Sequence, residues 1–326
     1  MQRYIFLYFC IFFVWKTCKY DIFFVPLHVF SVNRVLMKST RYISIVLLLA
    51  VAEVFFVALR QHPRQAPEQL KVLCIGNSFS IDAVENNLVE LAAERGVKLT
   101  VGNLYIGGCS LERHALNMRG DSAVYSYRLM RRNPDDGCFE RIVTDSVSIL
   151  QALTSGEWDV ITMQQASHYS GQWFTYEPWL TELIDSVKLH ISPKTKLFWY
   201  MTWAYQQDAT HGAFLPNYNG DQAYMYDEIC GCNRQVLKRH HFDGFIPGGV
   251  AIQQARKTKL GDTLCRDGFH LSYTYGRYLM ACLWLEVLTG QPAMGCKFMP
   301  EGMSVEQRRI TQKVAHEVAE KAERCI

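Results

Sequence analysis

Lys71-Val72-Leu73-Cys74-Ile75-Gly76-Asn77-Ser78-Phe79-Ser80 is an apolar run that stops at a glycine-led polar turn. Such a run reads as a strand buried on both faces, the kind found inside parallel sheets. Residues 84–95 then carry helical spacing, with Leu88, Leu91 and Ala92 on one face. A strand passing through a tight turn into a helix is the repeating unit of an α/β fold.

The same alternation recurs outward from that stretch. Residues 98–106 (KLTVGNLYI) read as a second strand closing on Gly107-Gly108. Residues 158–163, 196–202 and 242–246 read as three more. Helices are expected over 176–190, 224–239, 276–288 and 305–324, and Pro247-Gly248-Gly249 reads as a turn into a short one. A less regular section has a turn at Asn133-Pro134-Asp135-Asp136-Gly137 and an expected helix over 142–155. The prediction is an α/β fold: a three-layer α/β/α sandwich on a five-stranded, mostly parallel, flavodoxin-like sheet. Ligands of such sheets sit at the carboxyl ends of the strands.

The composition agrees with a globular chain: 326 residues, 49% hydrophobic and 20% charged. It excludes a disordered, collagen-like or minimal disulfide-stapled protein. The formal charge of +3 is concentrated in the first 60 residues, where basic side chains outnumber Asp21 and Glu53. The remainder is close to neutral, so no nucleic-acid partner is expected. Residues 43–59 are apolar except for Glu53, follow Lys38 and Arg41, and contain Ala50-Val51-Ala52. That order reads as a secretory signal or an uncleaved anchor associated with the membrane, the alternative being a buried core helix. The expected organisation is an upstream extension over 1–36, the export segment over 37–60, a linker over 61–70, a domain over 71–290 and a tail with an amphipathic helix over 291–326. The expected location is the periplasm, free or membrane-anchored. Of eleven cysteines, none forms a C-x-x-C pair, and Cys230 and Cys232 stand one residue apart. Scattered core thiols are expected, with no metal and no cofactor.

The residues with chemical potential follow the strands. Ser78, at the strand-to-helix turn, exposes a hydroxyl and its own N–H at the sheet edge, suited to acyl transfer. The alternative is a helix cap in a Gly-Asn-Ser turn. Asp267-Gly268-Phe269-His270 sets a carboxylate three residues before an imidazole, a spacing that can fix a tautomer and stabilise an imidazolium. The alternative is a surface turn. Met163-Gln164-Gln165-Ala166-Ser167-His168 follows the third strand. Trp203 and Tyr205 follow the fourth, where an aromatic platform would meet substrate, although most such aromatics pack internally. Asp82, one turn after Ser78, reads as support for the helix start.

Taken together, the order resembles the SGNH (GDSL-like) hydrolase superfamily, over residues 71–290, and a bacterial branch of it that opens on G-N-S-F-S. The resemblance implies Ser78 as nucleophile, His270 as general base and Asp267 as its orienting carboxylate. It implies an oxyanion hole from the N–H groups of Ser78 and Gly108. The superfamily's third block, G-x-N-D, is missing. A glutamine amide can donate the same bond, so Gln165, or Gln164, is expected to replace the Asn. Only one of two adjacent strand residues can face the site. His168 is a rival base or a substrate contact. The expected substrate is a small-molecule or carbohydrate ester, O-acetyl carbohydrate first and short-chain lipid esters next. The contrary expectation, resting on the missing Asn, is a non-catalytic ligand-binding protein with the same fold. A phosphate binder at the first turn finds little support without a glycine-rich loop.

Overall fold

The apolar run that follows Lys71 is buried at each of its four positions, Val72, Leu73, Cys74 and Ile75. Burial on both faces is possible because neighbours flank the strand on either side and helices cover it. A computed structural model describes residues 67–322. The chain divides into Met1–His62 and Pro63–Ile326, and the described residues belong to the second unit. The expected extension over 1–36, the export segment over 37–60 and linker positions 61–66 lie outside the described residues. Among the described residues, no helix is long and apolar enough to cross a membrane.

The strands are β1 Gln69–Gly76, β2 Lys98–Tyr105, β3 Tyr125–Arg132, β4 Phe139–Val147, β5 Val160–Met163, β6 Lys196–Tyr200 and β7 Gly244–Ile246. They form one sheet in the order β4-β3-β2-β1-β5-β6-β7. β1 pairs in parallel with β2 and β5, and β5-β6-β7 continue in parallel. β2-β3 and β3-β4 are antiparallel. The sheet therefore has seven strands, not five. The two additions form a hairpin whose tip is the Asn133–Gly137 turn, where Gly137 has φ 71°.

The expected helix over 142–155 is corrected in the same place. Most of its first half belongs to β4, and only Ile149–Thr154 is helical. β4 is solvent-exposed along almost its whole length. A strand with no buried face carries no apolar alternation to read.

The helices are α1 Ser78–Val84, α2 Leu88–Glu94, α3 Leu111–Arg119, α4 Ile149–Thr154, α5 Trp179–Lys188, α6 Phe214–Tyr218, α7 Gln222–Arg239, α8 Gly248–Arg256, α9 Tyr275–Thr289 and α10 Val305–Ala322. The helix expected over 84–95 is Leu88–Glu94 alone, because Val84 ends α1 and Asn87 adopts φ 67° between α1 and α2. Asn tolerates that left-handed backbone better than other non-glycine residues. α9 packs against α1, α2, α8 and α10, while α3 packs against α5, so helices cover both sides of the sheet. α9 is buried around most of its circumference and ends at Gly290, φ 69°. α10 is fastened to it: Gln312 Nε2 donates to Tyr278 Oη at 2.9 Å, and His316 Nδ1 lies 2.8 Å from Glu286 Oε2. The eight described cysteines are free thiols, most of them buried.

Candidate active site

The parallel strands β1, β2, β5 and β6 all deliver their carboxyl ends to one edge of the sheet. At the first exit, Asn77 caps α1: its Oδ1 accepts from Phe79 N at 3.0 Å, and its Nδ2 donates to Cys109 O at 3.1 Å. The second bond fastens the β1 exit to the β2 exit, where Gly108 takes φ 61°. Gly76 must lack a side chain, since a Cβ there would stand 2.4 Å from Ser80 Oγ. The two serines of the turn differ. Ser80 is buried, its Oγ 2.7 Å from Asn77 O and 2.8 Å from Asn103 Oδ1. Ser78 is half-buried at the first position of α1, and its hydroxyl is not engaged by any described side chain.

The Asp267–His270 loop returns to this helix from the far end of the chain. Asp267 Oδ2 lies 2.7 Å from His270 Nδ1, and its Oδ1 accepts from His270 N at 2.7 Å and Phe269 N at 3.2 Å. Burial acts to raise the Asp267 carboxyl. The hydrogen bonds from the His270 ring and from the two backbone N–H groups outweigh it and hold Asp267 below its ordinary range. With Nδ1–H donated to Asp267, His270 keeps Nε2 as its basic atom. The His270 ring meets the Phe79 ring edge-on, centroids 5.9 Å apart, and Phe79 is the neighbour of Ser78.

Two devices seat that loop. Phe79 stacks on Trp203 at 4.0 Å, and Trp203 Nε1 donates to Phe269 O at 2.8 Å. Asp82, wholly buried on α1, accepts from Leu271 N at 2.7 Å and from the guanidiniums of Arg266 and Arg277 at 3.0 and 2.8 Å. Asp82 thus does more than support the helix start expected of it. The available signal was its spacing: four residues after Ser78 puts both on one helix face.

The third exit differs from expectation. Gln165 is buried with both amide hydrogens committed to Thr175, to its O and Oγ1 at 3.1 Å each. Its Oε1 accepts from Leu111 N and Ala166 N. Gln164 Nε2 donates to Asn77 Oδ1 at 2.9 Å, so it braces the first turn. Gln165 therefore has no amide hydrogen left for an oxyanion beside Ser78, while Gln164 has one of its two committed to the first turn. His168 is the side chain that faces Gly108, its Cε1 3.8 Å from where a Cβ would begin. Burial and then the neighbouring His211 lower the His168 pKa, which favours the neutral ring. Trp203 and Tyr205 are also placed differently from a substrate platform: both are fully buried, and Tyr205 Oη lies 2.9 Å from Ser167 Oγ. They are walls behind the site. His211, not singled out from the sequence, packs edge-on against Phe269 at 4.8 Å. Burial, then the charge of His270, lowers its pKa.

The profile of a family described as a domain of unknown function, DUF4886, matches residues 71–318. A crystal structure of a DUF4886 family protein from Bacteroides uniformis is 40% identical, with a TM-score of 0.73 over 77% of this chain and 94% of that one. A proposed SGNH hydrolase from Slackia heliotrinireducens is 18% identical, with a TM-score of 0.45 over 68% and 99%. An acetylxylan esterase from Geobacillus stearothermophilus is 10% identical, with a TM-score of 0.40 over 73% and 99%. No curated protein matches the chain.

Proposed function

The chain belongs to the DUF4886 family, and from that footing we propose that it is a serine-dependent ester hydrolase. The observation that carries the reading is the 2.7 Å Asp267–His270 pair, held edge-on to the residue next to Ser78. Ser78 Oγ attacks the ester carbonyl while His270 Nε2 takes its proton, and Asp267 stabilises the imidazolium. The carbonyl oxygen, now negative, receives the N–H groups of Ser78 and Gly108. His168 supplies the third donor in place of Gln165, whose amide is committed to Thr175; a neutral imidazole carries one N–H for that purpose. The C–O bond to the alcohol then breaks, His270 returns the proton to the leaving oxygen, and water releases the acyl group by the same route.

The favoured substrate is an O-acetyl group on a carbohydrate, acted on after export to the periplasm. Short-chain lipid esters come second. A near-neutral body supports an uncharged ester over an anionic polymer. The rival reading, a ligand-binding protein with no turnover, draws on the commitment of the Gln165 amide to Thr175 and of one Gln164 N–H to Asn77. Hydrolysis of p-nitrophenyl acetate separates the two. Turnover lost in Ser78→Ala supports the hydrolase; equal rates in both proteins, or none in either, support the binding protein.

A further inference from the structure

We infer that Asp82 is a positioning residue: it fixes where the Asp267–His270 pair stands relative to Ser78 by holding the chain on both sides of that pair. The inference rests on the hydrolase reading above. Asp82 lies one helical turn beyond Ser78, and both of its carboxylate oxygens are filled. Oδ2 accepts from the N–H of Leu271, the residue after His270, at 2.7 Å. Oδ1 accepts from Arg266, the residue before Asp267, at 3.0 Å and from Arg277 of α9 at 2.8 Å.

The contacts around Asp82 close the loop on itself. Arg266 N donates to His270 O at 2.8 Å, and Arg266 Nη1 also reaches Leu271 O. Cys265 and Leu271 form an isolated β-bridge at the base. On the outer side, Tyr273 lies over both guanidiniums, 4.7 Å from that of Arg266 and 4.6 Å from that of Arg277. Asp82 shares a helix face with Ser78, so the nucleophile and the base are referred to one rigid element.

A buried carboxylate is a costly tether unless it is paired and fully hydrogen-bonded, and here two cations and one backbone N–H satisfy it. The Asp267–His270 bond is local to the loop and makes no use of Asp82. Weakening the tether therefore leaves the pair intact and turns it away from Ser78. Gly108 and His168, which face the substrate carbonyl from other strands, stay in place. The loss falls on kcat, because small misplacements of a reacting group cost on the order of 10²-fold.

The test uses the full chain with Asp82→Asn, which keeps an acceptor for Leu271 N, and with Arg277→Gln, which removes one of the two cations and leaves the carboxylate. kcat and KM for p-nitrophenyl acetate are measured per folded molecule, the folded fraction being read from circular dichroism. The expected result is a roughly 10- to 100-fold fall in kcat for Asp82→Asn with KM within about twofold, and a smaller fall of the same kind for Arg277→Gln. Should Asp82→Asn not fold, Arg277→Gln decides alone. Wild-type kcat per folded molecule in the folded variants, or a change in KM alone, overturns the inference while Ser78-dependent turnover stands. Wild-type protein without turnover overturns the hydrolase reading and this one with it.

Discussion

Ser78 and Ser80 stand two residues apart in one turn, and their surroundings separate them. Ser80 is buried and bonded to the frame, whereas Ser78 is half-buried, and the proposed reaction is assigned to its hydroxyl. The histidines divide similarly. His168 faces Gly108, so His168→Ala is expected to lower kcat by about 10²-fold with little change in KM, the usual cost of one oxyanion donor. His168→Asn, which restores an amide donor, is expected to recover much of that loss, and steady-state kinetics on the two variants checks it. Gln165→Ala is expected to lower the melting temperature instead, through the bonds it makes to Thr175, Leu111 and Ala166. His114 has another role. It is buried between α3 and β3, its Nδ1 2.9 Å from Tyr125 Oη, and burial pushes its pKa down to about 3. An unfolded His titrates near 6.5. Between the two values the unfolded chain holds one more proton than the folded one, so stability falls as pH drops from about 6.5 toward 3. The slope from this group is about 1.4 kcal/mol per pH unit. Urea midpoints at pH 7 and pH 5 are expected to differ more for wild type than for His114→Gln; equal differences would contradict this assignment.

At the scale of elements, the β1–α1 turn explains why position 77 carries an amide and not a carboxylate. The Asn77 amide both accepts, from Phe79 N and Gln164 Nε2, and donates, to Cys109 O. A carboxylate cannot donate, and in this buried position it would bring a charge against a carbonyl oxygen. Asn77→Asp is therefore expected to destabilise the fold by about 2–3 kcal/mol, read from chemical denaturation. A neutral change would show that the bond to Cys109 O contributes little. Legibility in the sequence divides along the same lines. β1, β5 and β7 are buried on both faces, so their apolar runs announce them. β4 is exposed, and its identity lies in pairing with β3, which no local pattern records. The Asp267–His270 pair is legible because both partners sit three residues apart. The Asp82 tether is not, since its partners lie more than 180 positions away. The role of Gln165 was not legible because a sequence shows an amide but not that Thr175 has already taken both of its hydrogens.

At the scale of the whole molecule, residues 67–322 form a frame in which four parallel strand exits meet at one edge and α9 packs against α1, α2, α8 and α10. The hairpin β3-β4 extends that frame and is bound back to it through buried Glu85, which pairs with Arg128 at 3.2 Å and Arg141 at 2.6 Å. α10 belongs to the body as well, through Gln312 and His316. The hydrolase reading proposed above requires this frame to bring Ser78 within reach of His270. Its most direct measurement is covalent capture: intact mass and peptide mapping of the full chain after reaction with a fluorophosphonate. The account predicts one adduct, on Ser78, absent in Ser78→Ala and formed far more slowly in His270→Ala. No adduct on Ser78 at any concentration, or labelling of Ser78 at an unchanged rate without His270, would contradict it.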